Sequence, residues 1–189
     1  MWWYFSSFLA AIVFFHVSEF ILAAIYMWEE LSWDSLLLSK NYCLALSMGC
    51  MEYCIECWLV PSLKASWTQP IAALGLFMVV VGESIRKLGM LTAKGAFTHK
   101  IRLQRLPNHV LVTSGIYRFT RHPGYLGWFV WSVGTQVLLV NPVSATLFFY
   151  TALKFFKRRI DFEESLLKEF FPEYNAYAMR TPTLIPFIR

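Results

Sequence analysis

The chain has 189 residues, enough for one domain, and is 57% hydrophobic, 18% aromatic and only 15% charged. Soluble domains typically carry about 25% charged residues. This composition, with a mean hydropathy of +0.48 and long apolar runs, argues against a soluble protein and for an integral membrane one.

The N-terminal stretch "MWWYFSSFLAAIVFF" has neither a basic leader nor a small-residue cleavage site, so it reads as a retained first span over residues 2–28. His16 and Glu19 lie within it at i, i+3. A second apolar segment, 42–60, carries Glu52 and Glu56 at i, i+4 and the four cysteines Cys43, Cys50, Cys54 and Cys57. Cys54 and Cys57 form a CxxC, but no second Cys/His pair stands at metal spacing, so small buried packing residues are expected. The polar groups of both spans are expected to face the bundle interior and bond between helices. A proton path or metal site built from His16, Glu52 and Glu56 is the less favoured reading.

The third segment, 70–88, ends on Glu83 and Arg86, whose i, i+3 spacing suggests a pair on the helix surface. The fourth and fifth, 124–140 and 143–157, are shorter and meet at Asn141-Pro142, a helix-stop signal. They read as a helical hairpin. Only Lys40 and Lys64 precede Arg86 among the 17 Lys and Arg. The rest cluster after the third and fifth segments, and by the positive-inside rule that side is the cytosol. The reading is therefore an all-α integral membrane protein of about five transmembrane helices, with cytosolic residues 89–123 and 158–189. Residues 1–88 would be a three-helix membrane region, and 89–189 the catalytic region that includes the 124–157 hairpin. An amphipathic helix should continue from the fifth span until Pro172, and "TPTLIPFI" should lie extended against the domain.

The cytosolic part holds His99, His109 and His122, but spacings of 10 and 13 residues are not those of a compact metal motif. "VLVTSGIY" combines a β-prone run with a Ser-Gly turn. Next to it, Arg121 and His122 suit an anion, Pro123 suits a first helical turn, and Gly124 allows close approach. Arg159 and Glu163, at i, i+4, share a helix face. Alone they would be a surface ion pair of little worth. Hairpin geometry, however, places Arg159 and Arg121 at neighbouring mouths, so Arg121, His122, Arg159 and Glu163 together suit a ligand of mixed charge.

These motifs, in the order "FTH" (97–99), "HVLVTSGIY" (109–117), "RHPGYLGWFVWSVGTQVLLVNP" (121–142), "RRIDFEE" (158–164) and "TPTLIPFI" (181–188), resemble the protein-S-isoprenylcysteine O-methyltransferases. Likeness to the shorter plant and protist members extends into residues 30–96. Arg-His-Pro alone is weak, since related membrane methyltransferases and sterol reductases carry something similar; the ordered set is specific.

The resemblance implies S-adenosylmethionine as cofactor, S-adenosylhomocysteine as its product, and no soluble Rossmann domain. It implies a cofactor site lined by Arg102, His109, Val110, Leu111, Val112, Tyr117, His122, Pro123, Gly124, Tyr125 and Glu163. Relatives often have glutamine where Arg102 stands, and a salt bridge to the cofactor carboxylate is one role for the arginine. It implies a catalytic and substrate-binding role for Arg159 toward the prenylated C-terminal cysteine of small GTPases and other CaaX proteins, delivered through the lipid bilayer. It implies a multi-pass endoplasmic reticulum protein with its active site facing the cytosol, and neither metal nor nucleic acid as a partner. Tyr125, Trp128, Phe129 and Trp131 would line the lipid entrance or simply face lipid. The competing readings are a phospholipid or other small-molecule methyltransferase, an NADPH-dependent sterol-type reductase, and a non-catalytic scaffold holding anionic lipids.

Overall fold

The computed structural model describes residues 2–106 and 109–189. It contains six α-helices joined by short 3₁₀ turns and loops, and no strand among the described residues. The helices are α1 (Trp2–Tyr26), α2 (Lys40–Leu59), α3 (Gln69–Ala93), α4 (Pro123–Leu138), α5 (Pro142–Phe170) and α6 (Tyr174–Arg180). Each of the five apolar segments is helical. By length and composition, α1 is the helix that passes as a membrane span in its own right, with a mean hydropathy of 2.2 over Trp3–Tyr26.

Local signals set the boundaries. Ser39 accepts the Tyr42 amide at the start of α2, as an N-cap should. Prolines open α3, α4 and α5, where a missing amide proton costs nothing. As expected, α5 continues unbroken through the charged segment, and it stops just before Pro172.

At the centre, α3 and α4 run antiparallel with their backbones almost touching. Gly75, Gly82 and Gly89 recur every seven residues on α3, and Gly127 and Gly134 do so on α4. A β-carbon added to Gly75 would fall 2.1 Å from the Leu138 amide nitrogen, and one on Gly82 2.5 Å from that of Trp131. Small residues allow such approach between helices that gain no hydrophobic benefit from associating in lipid. Gly82→Ala is therefore expected to destabilise the fold by about 1–3 kcal/mol, and Gly82→Leu by more, read as lowered thermal unfolding midpoints in detergent.

With α3 on one side and α5 on the other, α4 is covered nearly all round. Phe129 and Trp131 are core residues, 5% and 1% exposed, with Trp131 stacked on Phe15 of α1. They open toward neither lipid nor a substrate entrance, because the helix that carries them is central rather than peripheral. The C-terminal segment packs against the domain, as expected, but it is extended only at its start: Leu184 and Phe187 are left-handed, with φ of 59° and 61°, and the Ile188 amide donates to the Ile185 carbonyl at 3.2 Å, a turn that buries Ile185 and Ile188 against Leu126, Phe129, Phe156 and Ile160.

The polar groups of α2 serve the hairpin turn. Glu52 accepts the Val143 and Ser144 amides at the start of α5, at 2.8 and 2.6 Å. Buried Lys64 donates to the Leu139 and Val140 carbonyls that end α4, at 2.7 and 2.8 Å, and pairs with Glu56 at 2.6 Å. An acid thus meets one helix N-terminus and a base meets one C-terminus, each complementing the local dipole. His16 stands apart, between the Leu36 carbonyl and the Tyr42 hydroxyl, so it forms no joint site with Glu52 and Glu56. Glu83 pairs with Lys87 rather than Arg86, because Arg86 turns inward to Glu19. Cys50 and Cys57 are half-buried against the Tyr4–Tyr53 cluster, but Cys54 is exposed, since α2 presents only part of that face to the bundle.

Candidate active site

At the end of the bundle opposite the hairpin turn, the loop residues 97–106 and 109–122 fold over the start of α4 and the last turns of α5. Between them lies a cleft, part of it open to solvent. Arg102, His109, Val110, Leu111, Val112, Tyr117, His122, Pro123, Gly124, Tyr125 and Glu163 all line it. Phe97, Arg121, Leu166, Phe170, Tyr174 and Tyr177 are also among its wall residues. Segment and cleft are pinned by the Tyr177 hydroxyl donating to the Tyr117 carbonyl at 2.7 Å. Gly124 leaves room for Phe97, whose ring carbon would lie 2.9 Å from an added β-carbon.

Arg121 and His122 do not face Glu163. They hold its neighbour, Glu164, through Arg121 Nε at 2.5 Å and His122 Nε2 at 3.0 Å. Arg121 also donates to the Thr181 carbonyl at 2.8 Å. Burial opposes the charge on Glu164, but the hydrogen bonds and charges of His122 and Arg121 outweigh it and hold the carboxyl down at about 2. The anion matched to Arg121 is therefore internal. One helical step, 100°, separates Glu163 on the cleft face from Glu164 on the packed face.

Glu163 faces the other way and accepts a short hydrogen bond from the Tyr125 hydroxyl. That hydroxyl in turn accepts from Arg159 Nε at 2.9 Å, and Arg159 Nη2 donates to the His99 carbonyl at 2.6 Å. The Arg159 guanidinium also lies over the Tyr125 ring, 5.5 Å from its centroid. Arg86, Arg102 and Arg121 are each matched to a carboxylate: Glu19, Glu30 and Glu164. Among the described residues, Arg159 is held by a phenol and a carbonyl, both neutral, so its charge remains for a ligand.

Among the described residues, three buried polar atoms of cleft-lining side chains lack a protein partner: Arg102 Nε, His109 Nδ1 and the Tyr174 hydroxyl. Burial, with the charges of Arg102 and Arg105, pushes the His109 imidazole down toward the neutral form. Burial, with the Glu163 charge, pushes the Tyr117 phenol up, so it stays a neutral donor. His99, His109 and His122 do not converge: His99 meets Glu19, His122 meets Glu164 and His109 packs on Phe170 and Phe171.

Comparison with known proteins adds a family context. Residues 73–169 match the isoprenylcysteine carboxyl methyltransferase (ICMT) family. The chain is 46% identical over 180 residues to protein-S-isoprenylcysteine O-methyltransferase B of Arabidopsis thaliana, covering 94% of this chain and 90% of that one. To protein-S-isoprenylcysteine O-methyltransferase of Homo sapiens it is 40% identical over 192 residues, covering 100% of this chain and 66% of the human one. A solved structure of the eukaryotic intramembrane Ras methyltransferase ICMT superposes with a TM-score of 0.93 at 38% identity, covering 98% of this chain and 67% of that one.

Proposed function

The chain belongs to the isoprenylcysteine carboxyl methyltransferase family, and on that premise we propose that its cleft brings S-adenosylmethionine to the C-terminal carboxylate of a prenylated cysteine held by Arg159. The chain is an enzyme of methyl esterification acting on prenylated cysteine, with the fold of an intramembrane methyltransferase. The observation that carries the site assignment is the guanidinium of Arg159: buried in part, fixed by neutral partners, and one hydrogen bond from a cleft-lining tyrosine.

The residues fit the cofactor. When bound, S-adenosylmethionine supplies an electrophilic methyl group on a positively charged sulfur. Glu163 offers the cleft a carboxylate to match positive charge, and the unpartnered Arg102 Nε and His109 Nδ1 await polar groups. Val110, Leu111 and Val112 offer backbone and apolar surface. Arg102 spends Nη2 on Glu30 at 3.1 Å and keeps Nε toward the cleft wall.

The acceptor asks little of the protein. An α-carboxyl group has a pKa of about 3.5, so at neutral pH it is already a nucleophile and no side chain needs to remove a proton. What remains is to place the carboxylate oxygen in line with the methyl group and to exclude water. Arg159 does the first by a charge-assisted hydrogen bond. The apolar walls that Phe97, Leu166 and Phe170 give the cleft serve the second. Esterification removes the negative charge, so the product loses its hold on Arg159 and can leave.

In the membrane, the helices α1 to α5 act as five spans with the cleft on the cytosolic side, where Lys and Arg concentrate. Residues 89–189 carry the catalytic region on the frame of 1–88. The prenyl chain arrives from the bilayer, and the substrates are CaaX-processed proteins such as small GTPases at the endoplasmic reticulum. The test is direct. Membranes containing the protein, given labelled S-adenosylmethionine and N-acetyl-S-farnesylcysteine, are expected to form a base-labile methyl ester. Label no higher than in control membranes would overturn the reading.

A further inference from the structure

The most heavily charged buried cluster lies outside the cleft and begins on the first helix. Glu19 is fully buried. Arg86 grips both of its oxygens, through Nε and Nη2, each at 2.7 Å. Lys87 reaches it at 2.6 Å and the His99 ring at 2.9 Å. Lys87 is shared with Glu83 at 3.2 Å, so two carboxylates and two cations already balance, and the added His99 contact and the further reach of Arg86 call for a second explanation.

Their far ends supply it. The carbonyl of His99 accepts Arg159 Nη2. Arg86 Nη1 donates to the Gly124 carbonyl at 2.9 Å, in the peptide that leads into Tyr125, and the Tyr125 hydroxyl accepts Arg159 Nε. Both anchors of Arg159 therefore lead back to Glu19 by separate routes. His99 also lies in a stretch without helix or strand, so backbone pairing does not fix its carbonyl. The bond from its ring to Glu19 does.

We propose that Glu19, acting through His99 and Arg86, is a positioning residue for the reaction: it fixes the two neutral anchors of Arg159 and so sets where the guanidinium meets the substrate carboxylate. This rests on the reading of Arg159 given above. Arg159 remains the group that touches substrate, while Glu19, His99 and Arg86 act through it. A flexible arginine without a carboxylate partner of its own needs such support, because small misplacements of a positioning group are costly to rate.

The test compares N-acetyl-S-farnesylcysteine with its carboxamide, which keeps the prenyl chain and lacks the charge. His99→Ala leaves the Glu19–Arg86 and Glu19–Lys87 pairs in place. It is expected to weaken binding of the carboxylate by about tenfold without changing that of the carboxamide or of S-adenosylmethionine. Its kcat/KM should fall by about a hundredfold. His99→Gln, whose amide can still donate to Glu19, should recover most of both, and Glu19→Gln should follow His99→Ala. Should Glu19→Gln fail to fold, the two His99 variants decide. Parallel weakening of carboxylate and carboxamide, or no weakening, overturns the proposal. Arg159→Ala serves as the reference. If it keeps the wild-type preference for carboxylate over carboxamide, the reading of Arg159 itself falls. If it erases that preference and His99→Ala does not, only the role of Glu19 falls.

Discussion

Arg159→Ala is expected to lower kcat/KM for a prenylated cysteine by about 10²–10³-fold, the usual cost of removing one preorganised donor at a reacting oxygen, while the folded protein still binds S-adenosylmethionine. The reason is charge. Removing Arg86 or Arg121 strands a carboxylate inside the protein, whereas removing Arg159 leaves only a phenol and a carbonyl behind. The defect should therefore appear in rate rather than in stability. Arg159→Lys should recover little, because a single ammonium cannot span Tyr125 and His99 as the planar fork does. Glu163→Ala should also be nearly inactive, but with the loss in cofactor binding, since it removes the cleft's carboxylate and the acceptor of the Tyr125 hydroxyl. Steady-state rates, with equilibrium binding of S-adenosylmethionine measured in parallel, separate the two.

Glu164→Ala and Arg121→Ala should fail differently, by destabilising the fold. Breaking a buried ion pair from one side costs about 3–5 kcal/mol, and this pair also ties down the C-terminal segment. Beside it, the Arg121 amide donates to the Pro182 carbonyl at 3.1 Å and the Thr120 hydroxyl to that of Thr183 at 2.7 Å. The pair carries a pH signature. Glu164 sits at about 2 in the fold against an ordinary 4.5, so its folded pKa is depressed. Its contribution to stability is complete above the unfolded value and is lost as the pH falls through the interval from 4.5 toward 2. Melts of the wild type in detergent should steepen their decline across that interval, and Glu164→Gln should lack that component.

Much of this was legible in the chain. The apolar runs, the Asn141-Pro142 break and Pro172 mark helix limits that depend on local chemistry, and the structure places them close to where those signals fall. Many motif residues of 97–125, with Glu163, line one cleft, and Arg159 stands behind it on the Tyr125 hydroxyl. Pairings across the fold were less legible. Spacing of i, i+3 suggested Glu83 with Arg86, but an interior carboxylate 67 positions away takes the arginine. Spacing of i, i+4 placed Glu163 with Arg159, and the structure joins them through Tyr125 instead. Glu164 gave no signal, because a neighbouring pair of acids does not say which one faces inward. The seven-residue recurrence of glycine on α3 and α4 is a local sign that these two helices meet.

The capping of the hairpin turn has a consequence for how the chain is made. Glu52 and Lys64 are synthesised well before their partners, which lie 92 and 75 positions further on for Ser144 and Leu139. At a ribosomal rate of about 5–20 residues per second, Glu52 waits on the order of seconds for the amides it caps, and Lys64, which already has Glu56 beside it, for the carbonyls it caps. During that wait the second helix is poorly suited to rest in lipid by itself. It is best kept beside the translocation machinery, or near headgroups, until the last pair of helices emerges to complete it. The order of assembly is thus written into the turn: the early helices remain provisional, and arrival of the 139–144 segment commits them.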